Sequence, residues 1–209
     1  MLEVNNLSIV SRKPIINEFS YQFDLGYLYG LVAINGAGKT TFFRTITGLL
    51  PFKKGEIKIK GKAVSQSKKE MFYFELSEWL DKNLSGKDYL NFVKKAWKSP
   101  KELAEVIDYW DMREYIHLPI KKYSLGMKQR LIIAMYVVSD AKYLFMDEIT
   151  SGLDEVSRRK LFEQLSKMVK EEHKMIIISS HYKEDIISEC DYCMSLESTV
   201  MEVHSNGIL

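Results

Sequence analysis

The stretch Tyr27–Leu50, YLYGLVAINGAGKTTFFRTITGLL, decides how this chain folds. It opens on a near-continuous apolar run, residues 27–34, of the kind found in a strand that is buried on both faces. The run leads directly into a glycine-rich segment, residues 35–41. Residues 42–50 are then predicted to form a helix, which Pro51 ends. A strand, a glycine-rich loop and a helix in this order predict a loop that wraps phosphate groups.

The loop itself, Ala33–Thr40, matches the template G-x-x-x-x-G-K-S/T, with alanine in place of the first glycine. Glycines let backbone N–H groups turn inward around phosphates, and the N-terminus of the following helix favours anions. We expect Lys39 to reach the β- and γ-phosphates of a nucleotide and the Thr40 hydroxyl to ligate Mg²⁺. The predicted nucleotide-binding residues are Ala33, Ile34, Asn35, Gly36, Ala37, Gly38, Lys39, Thr40 and Thr41.

Two acids follow a second apolar run, Tyr143–Met146. Carboxylates at the carboxyl end of a parallel strand face the crevice where ligands bind. Asp147 suits Mg²⁺, directly or through water, and Glu148 is placed to orient and deprotonate an attacking water. The alternative is a pair of solvated acids at a strand end. The four apolar residues that deliver the acids, and the phosphate loop that would receive them, argue against it.

Strand-like and helix-like segments alternate along the chain, which predicts a mostly parallel sheet covered on both faces. Between Met71 and Met135, apolar side chains recur at three- and four-residue steps, so we expect helices inserted between sheet strands. Further strands are predicted over Leu2–Ser8, Ile15–Phe23, Gly55–Gly61 and Met175–Ser179, and a further helix over Val156–Lys170.

Size and composition exclude several classes of protein. The chain has 209 residues, enough for one good core and at most two small domains. A formal net charge of +2 is too small to favour nucleic acid as a partner. The longest clean apolar run, Leu131–Val138, is far shorter than the roughly 18 residues that span a bilayer. The N-terminus lacks the pattern of a secretory signal. We therefore expect a cytosolic chain whose membrane association comes through a partner.

Cys190 and Cys193 form the only C-x-x-C pair of the sequence. A redox or metal site needs a second pair, or histidines at ligand spacing, and neither lies nearby. Two small apolar residues beside a buried strand are the simpler interpretation.

Four further motifs follow the phosphate loop in a fixed order. They are the segment Tyr123–Gln129, YSLGMKQ; the acids at 147–148; Ser151–Asp154, SGLD; and Ile177–His181, IISSH. This series resembles the ABC ATPases, in which the same positions carry the signature motif, the Walker B acids, the D-loop and the switch histidine. The resemblance extends over essentially the whole chain, because Pro51–Ile57 is similar to the family's turn and strand after the first helix.

The resemblance implies an α/β fold with a P-loop NTPase core, a mostly parallel sheet, an antiparallel β subdomain and an inserted α-helical subdomain. It implies one ABC ATPase domain over residues 1–209. Residues 1–72 and 139–209 would form the nucleotide-binding core, and residues 73–138 the helical subdomain that carries the signature motif.

It also implies roles for individual residues. Lys39, Thr40 and Asp147 would bind MgATP. Glu148 would be the catalytic base, and His181 would contact the γ-phosphate and link it to that base. Three other residues would complete a site shared between two subunits: Ser124 and Gly126 meet the nucleotide of the opposing subunit, and Asp154 couples the two sites.

Four positions depart from the family pattern. Leu125 replaces the usual glycine of the signature, a form familiar from transporters that export peptide antibiotics or confer resistance to them. Ile149 replaces the usual proline. Residues 73–78 lack the glutamine that helps bind Mg²⁺ and senses the membrane subunit. Either Glu75 or Glu78 replaces it as an oxygen ligand, or the role is lost. No aromatic residue occurs at 10–12 to stack on adenine. Such stacking is worth about 1–3 kcal/mol on nucleic acids, so we expect weak base selection, with ATP and GTP bound about equally.

The aromatic residues between Met71 and Trp110 are mostly expected in the core. By resemblance, Phe74 or Trp79 is expected to line a groove that receives a short helix of a membrane permease.

The function implied is that of an ATP-binding, ATP-hydrolysing subunit of an ABC transporter, with ATP and Mg²⁺ as cofactors. Its expected partners are an integral-membrane permease on a separate chain and a second ATPase subunit, as a homodimer or heterodimer. It would lie in the cytoplasm, on the inner face of the cell membrane, and the signature favours export. Two alternatives remain. One is a soluble ABC ATPase without a transport role. The other is a weakly hydrolysing regulatory subunit, which the missing glutamine and aromatic residue suggest and the intact Lys39, Asp147, Glu148 and His181 argue against.

Overall fold

The computed structural model of the chain describes residues 1–75 and 77–206, so Leu76 and the last three residues of the predicted core segment lie outside the described residues. Its strands are β1 (Leu2–Val10), β2 (Pro14–Phe23), β3 (Leu28–Val32), β4 (Lys54–Ile59), β5 (Lys62–Ala63), β6 (Met71–Tyr73), β7 (Tyr143–Met146), β8 (Met175–Ser179), β9 (Tyr192–Glu197) and β10 (Val200–Ser205). Its helices are α1 (Lys39–Ile46), α2 (Gly86–Trp97), α3 (Leu103–Tyr109), α4 (Leu125–Ser139), α5 (Glu155–Lys170) and α6 (Lys183–Glu189).

The strands form two sheets. The larger has the order β10-β9-β3-β8-β7-β6, and its strands are parallel except for β10, which runs antiparallel to β9. The smaller is antiparallel, with the order β2-β1-β4-β5. The α/β class, the mostly parallel sheet and the antiparallel β unit predicted from the sequence are confirmed.

The central strands β7 and β8 divide the core into two clusters, because successive side chains of a strand point to opposite faces. In β7, Tyr143 and Phe145 face the cluster around the antiparallel sheet and α1. Leu144 and Met146 face the cluster built with the helices between β6 and β7. The strand alternation explains why these short strands are apolar throughout.

The helices α2, α3 and α4 lie between β6 and β7, and α4 is buried along most of its length. Ser85 begins α2 with a capping box, in which its hydroxyl accepts from the Asp88 N–H and the Asp88 carboxylate accepts from the Ser85 N–H. Residue 73 is the end of β6, and residue 138 lies one position before the end of α4. The division into a core and a helical subdomain stays a prediction. Among the described residues, no helix is long and apolar enough to cross a bilayer.

Two elements differ from the expectations. Met71–Tyr73 is a three-residue strand paired with β7 rather than the start of a helix, since pairing with an apolar neighbour outweighs the local pattern. Helix α1 begins at Lys39, three residues earlier than predicted. It ends at Ile46, just before Gly48, which has a φ of 69°.

Cys190 and Cys193 are free and buried beside β9, which agrees with the simpler interpretation of that pair.

Candidate nucleotide site

Three neighbouring parallel strands, β3, β8 and β7, deliver the predicted site residues to one edge of the large sheet. The phosphate loop follows β3, the two acids follow β7, and His181 follows β8 by two residues. Since the carboxyl ends of parallel strands meet at one edge, motifs separated by more than a hundred residues lie side by side.

The loop between β3 and α1 depends on its glycines. Gly36 and Gly38 have φ angles of 79° and 116°, in the region that side-chain-bearing residues rarely adopt. A Cβ on Gly38 would also lie 2.3 Å from Cγ2 of Ile15. The loop can therefore close over the antiparallel sheet only without a side chain at Gly38.

The remaining loop residues shape the same turn. The Ala37 N–H donates to the Ile34 carbonyl over 3.2 Å, and Ala33 and Ala37 pack against the core. Lys39 is 7% exposed, and its ammonium donates to the Ala33 carbonyl over 3.1 Å. A nearly buried cation at the start of an eight-residue helix, facing the loop, fits a phosphate group.

Asp147 is the centre of a hydrogen-bond network beside the loop. The Thr40 hydroxyl donates to its Oδ2 over 2.5 Å, and the Ser179 hydroxyl donates to its Oδ1 over 2.6 Å. Burial raises the pKa of Asp147, and the nearby charges of Glu148 and Glu75 raise it further, against these two hydrogen bonds. A buried carboxylate next to a hydroxyl supplies the hard oxygen ligands that Mg²⁺ prefers, so Thr40 and Asp147 fit that ion.

Glu148 and His181 form the second pair of the site, with 2.9 Å between Glu148 Oε2 and His181 Nε2. Glu148 has a φ of 50°, unusual for a residue other than glycine. Its N–H donates to the Ser179 hydroxyl over 2.8 Å. The Ser180 hydroxyl lies 2.7 Å from that of Thr150 and accepts from the Tyr182 N–H. Two consecutive serines at the end of β8 thus hold both acids and the turn that carries His181.

The loop, Glu148 and His181 line one cleft of about 510 Å³, together with Asn35, Gly36, Gly38, Lys39, Thr40 and Thr41. Both side chains of the Glu148–His181 pair are partly exposed, at 40% and 44%, so water and a terminal phosphate can reach them. The arrangement can bind a polyphosphate with Mg²⁺ and direct a water at its terminal phosphorus.

Ser124, Gly126 and Asp154 do not line this cleft. They line a separate one of about 240 Å³, with Met127, Arg130, Gly152, Leu153 and Ser157. The Ser124 hydroxyl caps α4 by accepting from the Met127 N–H over 3.2 Å. Asp154 caps α5 by accepting from the Ser157 N–H over 2.7 Å, and this bond lowers the pKa of Asp154. The described chain therefore places the two predicted parts of the site apart.

Leu125, the unusual residue of the signature, packs against this second cleft. Gly152 has a φ of 75°, and a Cβ there would lie 2.7 Å from Cγ of Leu125. Inside the protein, the Gln129 amide donates to the Ile149 carbonyl, which ties α4 to the turn after β7. The signature helix and the segment around Glu148 are therefore in direct contact.

In the segment that lacks the glutamine, Glu75 is hydrogen-bonded to a side chain of α1. The buried Glu75 carboxylate accepts two hydrogen bonds from Arg44 on α1, with Nε to Oε2 at 2.6 Å. Glu78 is exposed. Val10 ends β1 and is 43% exposed, and residues 11–13 form the turn to β2.

Five residues that support the site have no role predicted from the sequence: Ser179, Ser180, Thr150, Arg44 and Tyr73. For the serines a signal exists, because two small polar residues end an apolar strand directly before His181. Arg44 carries no such signal, since its partner lies 31 residues away.

The fold and this site define a P-loop nucleotide-hydrolysing protein with a helical insertion between two strands of its main sheet. The profile of the ABC transporter family matches residues 16–151, and the chain belongs to that family. Its members bind and hydrolyse ATP.

Relatives support this assignment. The chain is 33% identical to the uncharacterized ABC transporter ATP-binding protein YhcH of Bacillus subtilis, over 91% of this chain and 65% of YhcH. It is 32% identical to YybJ of the same species, also an uncharacterized ABC transporter ATP-binding protein, over 100% of this chain and 98% of YybJ. It thus spans slightly less than two thirds of YhcH but nearly all of YybJ.

Two further comparisons agree. The chain is 32% identical to the lantibiotic transport ATP-binding protein SrtF of Streptococcus pyogenes, over 92% of this chain and 83% of SrtF. A solved structure titled as the ATP-binding subunit of an ABC transporter has the same fold, with a TM-score of 0.89 at 22% identity. It covers 98% of this chain and 90% of that one.

Proposed function

We propose that this chain is the ATP-hydrolysing subunit of an ABC transporter, that it works as a face-to-face dimer, and that it powers a permease carried on a separate chain. The observation that supports this best is the separation of the two clefts. The cleft with Lys39, Glu148 and His181 lacks the signature residues Ser124 and Gly126, which line the other cleft. A second ATPase subunit, identical or homologous, would bring its own signature residues to the nucleotide.

The hydrolytic step follows from the first cleft. Lys39 and the loop N–H groups bind the phosphates, and Mg²⁺ held by Thr40 and Asp147 would neutralise their charge. Glu148 accepts a proton from the attacking water, and His181, 2.9 Å away, holds the Glu148 carboxylate in place and faces the terminal phosphate. Ser179 supports both acids through its hydrogen bonds.

The signature side supplies an anion site to the partner subunit. Ser124 begins the 15-residue helix α4, whose N-terminus carries a partial positive charge. Gly126 lies in the first turn, where a Cβ would approach the Gly152 carbonyl to 3.3 Å. Asp154, on the same cleft, would contact the opposing subunit and couple the two sites.

The permease would dock beside the cleft between the sheet and the helices. Phe74 and Trp79 lie there with their ring centroids 6.3 Å apart, and Trp79 is 52% exposed. Phe74 lines a cleft of about 200 Å³ with Glu78, Leu125 and Ile149. This docking would place the chain in the cytoplasm, on the inner face of the cell membrane. Export is the proposed direction, because the signature has the form familiar from antibiotic exporters and SrtF is named for lantibiotic transport.

Purification from native membranes tests the transport role. The tagged chain, solubilised in mild detergent after cross-linking, should bring down an integral-membrane protein in stoichiometric amount. Phe74→Ala combined with Trp79→Ala should reduce that yield severalfold. Phe52→Ala, which removes another exposed aromatic side chain, should leave it unchanged. Recovery of soluble partners alone would instead favour the ABC ATPase without a transport role.

The weakly hydrolysing regulatory subunit remains the second candidate. The observation in its favour concerns Glu75, which lies in the segment where the family has the glutamine. Both of its carboxylate oxygens accept hydrogen bonds from Arg44. ATP turnover by the purified chain that is no faster than that of its Glu148→Gln variant would support this candidate.

A further inference from the structure

Arg44 and Glu75 form an ion pair beside the site, in which the Arg44 side chain is 37% exposed. The Glu75 side chain is 2% exposed, and both of its oxygens accept from the Arg44 guanidinium. The Tyr73 hydroxyl donates to Glu75 Oε2 over 2.9 Å. A bidentate pair of this kind fixes the carboxylate in one orientation. Glu75 therefore has little capacity left to accept from a further ligand.

The pair lies next to the acids of the nucleotide site. Glu75, Asp147 and Glu148 line one cleft of about 200 Å³, and the Glu75 charge contributes to the raised pKa of Asp147. The exposed Glu78 lines the same cleft, so Glu75 adds a carboxylate beside the two acids at the place where the family has a neutral amide. Arg44 lies in the last turn of α1, the helix that begins at Lys39, so the ion pair ties Glu75 to the helix that follows the phosphate loop.

We propose that Arg44 is a positioning residue of the ATPase site: it cancels the charge of Glu75 and thereby lets a carboxylate occupy the place of the neutral glutamine. With Arg44 in place, the site presents to Mg²⁺ and nucleotide the charge of a glutamine-containing site. Without it, the buried negative charge of Glu75 would be added to those of Asp147 and Glu148. The inference rests on the assignment of Thr40 and Asp147 as metal ligands in the proposed function.

The proposal has a consequence that a purely structural ion pair lacks. An uncompensated Glu75 attracts a divalent cation and repels the phosphates of a nucleotide, so removal of Arg44 changes the two affinities in opposite directions. A pair that only held α1 against the segment after β6 would, when broken, loosen the phosphate loop and weaken both affinities. The sign of the change in metal affinity therefore separates the two roles.

The experiment measures both affinities on the whole chain at pH 8 without turnover. Mn²⁺, as the probe for the metal, is titrated by electron paramagnetic resonance against the ADP-saturated protein, and ADP is titrated by calorimetry in EDTA. In Arg44→Met we expect Mn²⁺ to bind about fivefold tighter and metal-free ADP about fivefold weaker, since a unit charge acts across a partly screened separation. Arg44→Met with Glu75→Gln should restore both affinities to within about twofold of the wild type.

Arg113→Met is the matched control, because Arg113 forms the same bidentate contact with Asp108 on the exposed end of α3. It should change neither affinity. The proposal is overturned if Arg44→Met weakens Mn²⁺ and ADP together, if it changes neither, or if Glu75→Gln fails to rescue it. A wild-type chain that binds neither ADP nor Mn²⁺–ADP would instead overturn the nucleotide site itself.

Discussion

His181 Nε2 lies 2.9 Å from Glu148 Oε2, although the two residues follow different strands and are 33 positions apart. The contact brings a side chain that can donate a hydrogen bond next to the carboxylate proposed as general base. Ser179 fixes the backbone at Glu148, and Ser180 fixes the turn after His181. The geometry of the pair is thus set by the strand end rather than by two free side chains.

Loss of His181 should reduce turnover more than binding. We expect His181→Ala to lower the steady-state rate of ATP hydrolysis by about 10²- to 10³-fold, because one donor to the developing phosphate charge is removed. The affinity for MgATP, measured by calorimetry, should change little.

The chain offers a matched control for this substitution. His204 pairs with Glu202 on β10 at 3.4 Å, as a second partly exposed histidine–glutamate contact. His204→Ala should hydrolyse ATP at the wild-type rate. If His181→Ala also does so, the role assigned to His181 is wrong.

Without metal, the wild type should be less stable than a variant with an uncharged side chain at Asp147. Burial raises the pKa of its carboxyl in the folded state, so the folded chain binds the proton more tightly than the unfolded chain does. Stability then falls as pH rises from the ordinary pKa of aspartate through the raised one, and it stays lower above that. At pH 7.5 in EDTA, we expect Asp147→Asn to have a higher Tm than the wild type by calorimetry, with the difference shrinking towards pH 4.

With MgATP, the wild type should have a higher Tm than Asp147→Asn. MgATP should raise the Tm of the wild type by several degrees, because it binds the folded state alone, and raise that of Asp147→Asn much less. Asp111→Asn, which changes an exposed carboxylate paired with Lys160, is the control and should respond to MgATP like the wild type. A lower Tm for Asp147→Asn in EDTA at pH 7.5 would contradict the account.

The contact between Leu125 and Gly152 should make Gly152 intolerant of a side chain. Gly152→Ala places a Cβ 2.7 Å from Leu125 Cγ at a φ of 75°, and we expect a Tm lower by about 4–10 °C and turnover reduced about tenfold. Leu125→Ala in the same chain should recover part of the Tm and part of the turnover, because it removes the clash but not the backbone strain.

Gly61 separates the two effects. It has the same φ of 75°, and no atom lies within 4 Å of the Cβ that it would carry. Gly61→Ala should therefore show the backbone strain alone, with a smaller loss of Tm and normal turnover. Equal losses for Gly61→Ala and Gly152→Ala would mean that Leu125 does not constrain the turn.

The sequence predicted correctly the elements that depend only on residues adjacent in the chain. The apolar runs at Tyr143–Met146 and Met175–Ser179 are strands with those bounds, because a strand buried on both faces needs apolar residues throughout. The phosphate loop was predictable for the same reason, since its glycines and its flanking strand and helix are contiguous.

Elements and contacts that depend on residues far away in the chain could not be predicted from the sequence. Met71–Tyr73 becomes a strand only because β7 lies beside it, and no short-range pattern distinguishes it from a helix. The pairing of Arg44 with Glu75, and the Ser179 bridge between two acids, arise from sheet order. The separation of Ser124 and Gly126 from the loop was expected from family resemblance, not from composition or periodicity.

The mass of Glu148→Gln in the presence of MgATP tests the central proposal, that two chains together complete the ATP site. The variant keeps the shape of the side chain but loses the base, so it should bind ATP and retain it. Light scattering after size-exclusion chromatography should show a monomer without nucleotide and a dimer with MgATP, and Ser124→Arg added to the variant should abolish the dimer. A variant that binds MgATP, stays a monomer at all accessible concentrations, and still hydrolyses ATP at the wild-type rate would contradict the account.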